Sequence, residues 1–195
     1  MRAKVSLIAL AFVAVAQSLN AQDTKFNFGL KVSPTIAWFK CSGNLDNDGS
    51  KIGFAYGLMA DFNFTDNYAI GTGIDVTYRG GKVKNDTIKK KTVLQYIEVP
   101  VTLKLKTNEI GYVTYFGKVG FAPGFNIRTD GDFNKSDIYP FNLALVAGLG
   151  MQYSLGGKTA LLAGITFNNG FLDLVKAKNA KATSNFIAID LGVMF

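Results

Sequence analysis

The chain has 195 residues, a formal net charge of +7 and no histidine. Without an imidazole it cannot build a Ser-His-Asp triad, a histidine general base or a histidine-ligated zinc site, so we expect no enzyme, no metal site and no cofactor. Its 21 glycines, 16 phenylalanines and 8 tyrosines, against 4 prolines, favour strands over helices.

The first predicted element is a cleaved signal peptide over residues 1–21. It begins with Arg2 and Lys4, continues as an apolar run to Ala16 and ends on the small residue Ala21. The apolar run is shorter than the ~20 residues of a membrane-spanning helix, so a membrane anchor is the weaker alternative. Cleavage after Ala21 would leave one exported domain over residues 22–195.

Eight runs of alternating apolar and small or polar residues follow the predicted leader. They cover residues 26–38, 53–64, 68–79, 93–105, 113–126, 141–153, 161–168 and 185–195. A period of two is typical of a strand whose two faces meet different surroundings. Short connections at 65–67, 107–111 and 155–158 alternate with long ones at 41–51, 80–91, 128–138 and 169–183. This alternation is typical of a barrel with short periplasmic turns and longer outer loops.

The two faces of these runs differ in a way that favours a membrane barrel. In the last run Ile187, Ile189 and Leu191 share one face, whereas Asp190 and Gly192 share the other. A face exposed to water would more often carry long charged side chains than small residues. The sequence therefore predicts an all-β fold, an eight-stranded antiparallel up-and-down transmembrane β-barrel in the cell outer membrane. A soluble exported barrel with its apolar face inward is the alternative.

Charged residues on the mixed face form the first candidate site. They are Lys31, Asp61, Asp75, Arg79, Glu98, Lys104, Lys118 and Asp190. The interior of an eight-stranded barrel is about wide enough to be filled by side chains, so these groups must pair inside it. We expect an ion-pair network built around Glu98, Asp75 and Asp190 with Lys31 and Lys118. The functional alternative is a proton or ion path, or a narrow gated pore.

A lysine-rich connection forms the second candidate site. It holds Lys82, Lys84, Lys89, Lys90 and Lys91. In an outer loop these lysines would face the lipopolysaccharide leaflet and could contact its phosphate groups; a solvated loop without a ligand is the alternative. Nucleic acid is not an expected partner, because no aromatic residues interleave with the lysines.

The chain ends on an aromatic residue, Phe195, at the end of the last predicted strand. We expect this residue to be the assembly signal that the barrel-assembly machinery of the outer membrane recognises.

Four segments resemble the PorT-like family of small outer-membrane β-barrel proteins. They are Gly-Leu-Lys-Val-Ser at 29–33, Gly-Ile-Asp-Val-Thr-Tyr-Arg-Gly-Gly at 73–81, Tyr-Ile-Glu-Val-Pro at 96–100 followed by Leu103 and Lys104, and the terminal strand. The resemblance covers essentially the whole chain after residue 21. It implies an eight-stranded outer-membrane barrel, and many such proteins have no assigned activity. Some relatives are linked to protein secretion, but no residue of this chain carries that association by itself.

Composition, pattern and resemblance together predict a function without catalysis. We expect an integral outer-membrane barrel with a structural or interaction role, a side-chain-filled lumen and specificity in the outer loops. Its expected surroundings are outer-membrane lipid and lipopolysaccharide, the barrel-assembly machinery, and secretion-system or other envelope proteins. The alternatives are a narrow transport pore and a subunit of a protein-secretion assembly.

Overall fold

The computed structural model describes residues 26–43, 46–85, 88–132, 137–176 and 180–195. The strands in these ranges are β1 (Phe26–Gly43), β2 (Asp46–Asn47), β3 (Lys51–Asn63), β4 (Tyr68–Asn85), β5 (Ile88–Glu98), β6 (Val101–Lys106), β7 (Val113–Gly131), β8 (Phe141–Gly156), β9 (Thr159–Gly170) and β10 (Ala180–Met194). The predicted signal peptide lies outside the described residues. Within the described ranges, no helix has the length and apolarity needed to cross a bilayer.

The strands form a closed antiparallel ring. Strand β3 pairs with β1 and β4, and both β5 and β6 pair with β4 and β7. From β7 the pairing continues through β8 and β9 to β10, which pairs back onto β1. Only the two-residue β2 stands outside the ring among the described strands, and it pairs with the far end of β4. Because the first and last strands meet, the sheet has no long free edge. The predicted all-β, antiparallel, up-and-down barrel is confirmed.

The ring contains nine strands where the sequence predicted eight, because the fourth predicted run is interrupted. Strand β5 ends at Glu98 and β6 begins at Val101, and both pair with β4 on one side and β7 on the other. Pro100 has no N–H to donate to a neighbouring strand, so the ladder breaks there. The backbone N–H of Val99 still donates to the carbonyl of Pro123, with an N to O distance of 2.9 Å.

The strands next to the long connections extend further than predicted. The predicted lysine-rich loop at 80–91 is wrong as a loop, because β4 continues to Asn85 and β5 already begins at Ile88. Backbone pairing runs through it, with Lys82 opposite Lys91 and Lys84 opposite Lys89. Apolar and polar residues need to alternate only where the two faces of a strand meet different surroundings. A strand can therefore extend beyond the alternating segment from which it was predicted.

The apolar face of the barrel points outward. Leu30, Ile189 and Leu191 are each about half exposed, whereas Thr35 and Asp190 on the opposite face are at most 3% exposed. A soluble barrel would have the reverse arrangement, with large apolar side chains inside. The arrangement matches a barrel surrounded by lipid.

The stagger of the strands brings together charged residues that are distant in sequence. Lys31 lies opposite Gly57, Gly57 opposite Asp75, and Asp75 opposite Glu98, on one hydrogen-bonded row. Gly57 is required between the two charged residues, because a Cβ there would overlap the carbonyl oxygen of Ile74 and the carboxylate of Asp75. This row crosses the centre of the candidate site.

Candidate functional site in the barrel lumen

Four buried ion pairs occupy the lumen, each joining two different strands. They are Lys31–Asp75 at 2.8 Å, Arg79–Glu98 at 2.5 Å, Lys104–Asp61 at 2.5 Å and Lys118–Asp190 at 3.0 Å. All eight charged residues of the predicted mixed face therefore lie in the lumen, and each has a partner of opposite sign. Four cations face four carboxylates, so the site has no net charge. Buried charges require such pairing, because the desolvation penalty of an isolated ion is several kcal/mol.

Asp190 connects the most strands. Its carboxylate accepts hydrogen bonds from the hydroxyl of Ser33 on β1 at 2.7 Å and from the hydroxyl of Thr166 on β9 at 2.5 Å. The Lys118 ammonium on β7 donates to the same carboxylate at 3.0 Å. The residue that interrupts the apolar pattern of the last predicted strand thus holds that strand to three others.

Glu98 pairs with Arg79 rather than with a lysine, which the sequence did not predict. The guanidinium is fully buried and lies over the Tyr96 ring, with 4.3 Å from Cζ to the ring centroid. Glu98 also accepts a hydrogen bond from the Thr77 hydroxyl at 2.9 Å. The period of two had already placed Arg79 on the mixed face of its strand, but the expected network did not name it as the partner of Glu98.

Lys104 and Lys118 lie directly opposite each other on β6 and β7. Opposed like charges repel across a ladder, and here each lysine turns to a different carboxylate. Lys104 reaches Asp61 on β3, and its ammonium lies 4.3 Å from the Phe116 ring centroid. Lys118 reaches Asp190 on β10. The two pairs therefore each join strands that are not neighbours in the ring.

A cavity of about 80 Å³ remains between the ion pairs. One carboxylate oxygen of Asp75 and the amide oxygen of Asn168 line it without a hydrogen-bond partner among the described residues. The cavity has charged groups in its wall and is large enough for a few water molecules, which would satisfy these acceptors. It is too small for a drug-sized ligand, because such sites generally enclose at least about 300 Å³.

Apolar side chains close the lumen on both sides of this cavity. Towards the short turns, Phe116, Leu162 and Met194 form a buried cluster against which Met59 and Ala160 pack. Towards the long connections, a larger cluster forms a cap. Its members are Phe39, Leu94, Tyr96, Ile138, Leu174, Val175 and Ala182. The charged layer is therefore enclosed between two water-excluding layers.

The cap is built partly from residues between strands. Ile138 of the β7–β8 connection bridges to Val175 of the β9–β10 connection, and the Tyr139 N–H donates to the Leu174 carbonyl at 2.9 Å. The alternation pattern did not predict this cap. Its signal was the presence of large apolar residues, Ile138, Leu174 and Val175, inside otherwise polar connections.

The five lysines of the second candidate site lie on the paired ends of β4 and β5. Lys82 and Lys84 belong to β4, and Lys89, Lys90 and Lys91 belong to β5. Their backbone is described, and their side chains lie outside the described part of the structure. The hairpin places Lys82 opposite Lys91 and Lys84 opposite Lys89, a register that concentrates positive charge.

Phe195 lies at the seam between the first and last strands. Its N–H donates to the Phe28 carbonyl at 2.7 Å, and the Phe28 N–H donates to the Phe195 carbonyl at 3.2 Å. The two rings lie 5.5 Å apart between centroids. Phe195 therefore has a structural role in closing the ring.

No cluster of three or more histidine, cysteine, aspartate or glutamate side chains suited to a metal ion occurs in the described ranges. The lumen chemistry is that of fixed, mutually neutralised charges.

The fold resembles solved outer-membrane barrels. The crystal structure of Neisserial surface protein A matches with a TM-score of 0.57 and 16% identity, covering 88% of this chain and 96% of that one. The outer membrane protein OprG from Pseudomonas aeruginosa matches with a TM-score of 0.58 and 13% identity, covering 87% and 95%. At such low identity, these likenesses establish the fold alone.

No curated protein matches the sequence. The family model described as "Outer membrane protein beta-barrel domain" matches residues 15–176, which is most of the chain. Together with the outward apolar face, this places the protein in the outer membrane. The chain belongs to the outer membrane protein beta-barrel domain family.

Proposed function

We propose that the protein is a side-chain-filled, non-conducting outer-membrane barrel with a structural or interaction role, whose specific contacts are made by its outer hairpins. The observation that carries this proposal is the closed lumen. Four neutralised ion pairs lie between an apolar cluster and an apolar cap, and the remaining cavity is about 80 Å³. A lumen of this kind braces the wall and leaves no continuous aqueous path.

The absence of conduction is the first prediction. Purified protein in planar lipid bilayers should give no stable single-channel steps above the lipid baseline, because the apolar layers exclude hydrated ions. A conducting porin inserted under the same conditions serves as the positive control. Large, reproducible steps from the wild-type protein would favour the alternative, a narrow transport pore.

The PorT-like relationship and a place in a secretion assembly remain finer proposals. The most specific segment of that resemblance is Tyr96 to Pro100, which covers the end of β5 and its interruption. It contains both Glu98 and Tyr96, which contact Arg79. Crosslinking in intact outer membranes followed by pull-down separates a lone barrel from a subunit of an assembly.

We also propose that the protein is exported by a cleaved signal peptide over residues 1–21 and that it has no enzymatic activity.

We further propose that the lysine-bearing hairpin contacts lipopolysaccharide phosphates. Opposed like charges destabilise a β-ladder, and two lysine pairs lie directly opposite each other at the ends of β4 and β5. Phosphate groups between these lysines would relieve the repulsion. The solvated-hairpin alternative requires no ligand.

Neutralising the paired lysines tests this contact. Added lipopolysaccharide should raise the thermal unfolding midpoint of the detergent-solubilised protein, because it binds the folded state. The fourfold variant K82Q/K84Q/K89Q/K91Q should lose most of this rise, and salt should weaken it in the wild type. The control is K158Q, since Lys158 lies in the short turn between β8 and β9, at the other end of the barrel. An equal rise with dephosphorylated lipopolysaccharide would contradict the proposal.

Recognition of Phe195 by the barrel-assembly machinery is proposed alongside its role at the seam. F195A keeps the backbone bonds to Phe28 and removes only the ring, so it separates the two roles. We expect F195A to lower the outer-membrane level several-fold in cells while refolding normally into detergent, and F195Y to behave as wild type. Deletion of Phe195 should have a larger effect, because it also removes the two seam hydrogen bonds. Normal outer-membrane levels of F195A would argue against recognition of the ring.

A further inference from the structure

The barrel has a second cavity, at the end that carries the short turns. Its volume is about 420 Å³, and strands β1, β3, β6, β7, β8 and β9 all contribute to its wall. In an outer-membrane barrel the short turns face the periplasm, so this vestibule opens to the periplasmic side. The apolar cluster of Phe116, Leu162 and Met194 separates the charged lumen from this end. The volume lies in the range of small-molecule sites.

Uncharged hydrogen-bonding groups dominate the wall of the vestibule. Asn27, Asn63 and Gln152 contribute carboxamides, and Thr114, Ser154 and Thr159 contribute hydroxyls. Carboxamides and hydroxyls both donate and accept hydrogen bonds. The wall therefore suits a ligand with closely spaced donors and acceptors.

The charged groups of the vestibule cancel one another. Lys106 and Lys158 are balanced by Asp66 and Glu109, and Lys106 also donates to the Asn63 amide oxygen at 2.6 Å. A cavity without net charge has no preference for an ionic ligand. Phe64 lines the rim and is 62% exposed, so it offers an apolar ring beside the polar wall.

We infer that this vestibule binds a small uncharged saccharide from the periplasmic side. A sugar ring presents hydroxyl donors and acceptors along its edge and C–H groups on its face. The edge matches the carboxamide and hydroxyl wall, and the face matches Phe64. An N-acetylated sugar adds an amide that pairs with a carboxamide such as that of Gln152. This inference does not rest on the proposed role of the outer hairpins.

The test uses the full-length protein in detergent micelles and N,N′-diacetylchitobiose as the probe. Addition of this disaccharide should shift the side-chain amide signals of Asn27, Asn63 and Gln152 in NMR spectra of the wild type, with saturation. The amide signals of Asn142 and Asn168, which are buried elsewhere in the lumen, should not move. Because this measurement needs no mutation, it does not depend on a variant folding.

Q152L should weaken the binding about tenfold, because the hydrogen bonds of one carboxamide are lost. The matched control is N108L, since Asn108 is an exposed asparagine in a turn at the same end and does not line the cavity. The absence of shifts at tens of millimolar disaccharide would overturn the inference. If N108L weakened disaccharide binding as much as Q152L, the inference would also be overturned. Amide shifts with the tripeptide trialanine as large as those with the disaccharide would overturn it too, and would assign the vestibule to peptides.

Discussion

Replacing Arg79 by methionine should lower the free energy of unfolding by about 3–5 kcal/mol, because it leaves the Glu98 carboxylate buried without its partner. Arg79 is fully buried and Glu98 is 3% exposed, so neither group has water to replace the lost ion pair. The guanidinium also lies over the Tyr96 ring, and that contact is lost as well. Urea unfolding followed through Trp38, the single tryptophan, measures the change.

Two further variants separate charge from packing. The double variant R79M/E98Q removes both charges and keeps similar side-chain volumes, and we expect it to recover most of the lost stability. R128M is the matched control, because Arg128 pairs with Asp130 on the surface at 2.9 Å, with both side chains more than half exposed. Such surface pairs contribute at most about 1 kcal/mol. An R79M protein as stable as R128M would mean that the buried pair does not hold the wall together.

Introducing valine at Gly57 should abolish the folded barrel. The new Cβ would overlap the carbonyl oxygen of Ile74 and would lie 2.9 Å from the Cα of Asp75, both of which are backbone atoms that cannot rotate away. Relief would require β3 to move away from β4 and would break the row that carries Lys31 and Asp75. Heat-modifiable migration in gels measures the folded fraction, and we expect none for G57V.

Gly117 provides the matched control for this substitution. It also lies in a strand, but its side-chain position faces outward, where a Cβ would meet a Leu149 side-chain carbon at 3.4 Å. Leu149 is 73% exposed and can move into the surrounding lipid. G117V should therefore fold normally. If G57V and G117V gave equal folded fractions, the crowded lumen would not be what requires glycine at position 57.

The strands were predictable because a barrel in a membrane imposes opposite demands on neighbouring residues. Ile189 and Leu191 face lipid, and Asp190 between them faces the lumen. The alternation of apolar and polar residues is no longer required where the strands leave the bilayer. For that reason the predicted fourth strand began at residue 93, whereas β5 begins at Ile88. Pro100 was visible in the sequence. That the strands on its two sides, β5 and β6, still pair with β4 and β7 was visible only in the structure.

The partners within the lumen were only partly predictable. The sequence placed Lys31, Asp75, Glu98, Lys118 and Asp190 on one face, because that requires only the period of two. It did not assign Arg79 to Glu98. Their pairing depends on the register between β4 and β5, in which Asp75 rather than Arg79 lies opposite Glu98. The arginine side chain is long enough for its guanidinium to reach Glu98 along the barrel axis.

The sequence by itself determined that this chain is an outer-membrane barrel with its apolar face outward and its charges inside. The alternation and the small residues of the mixed face suffice for that, since both are local properties of the sequence. Only the tertiary structure decided which charges pair, where the lumen is closed and which cavity stays open at the end with the short turns. The stagger of the strands around the ring decides the first of these. Contacts between the β7–β8 and β9–β10 connections decide the cap, and no local pattern encodes them.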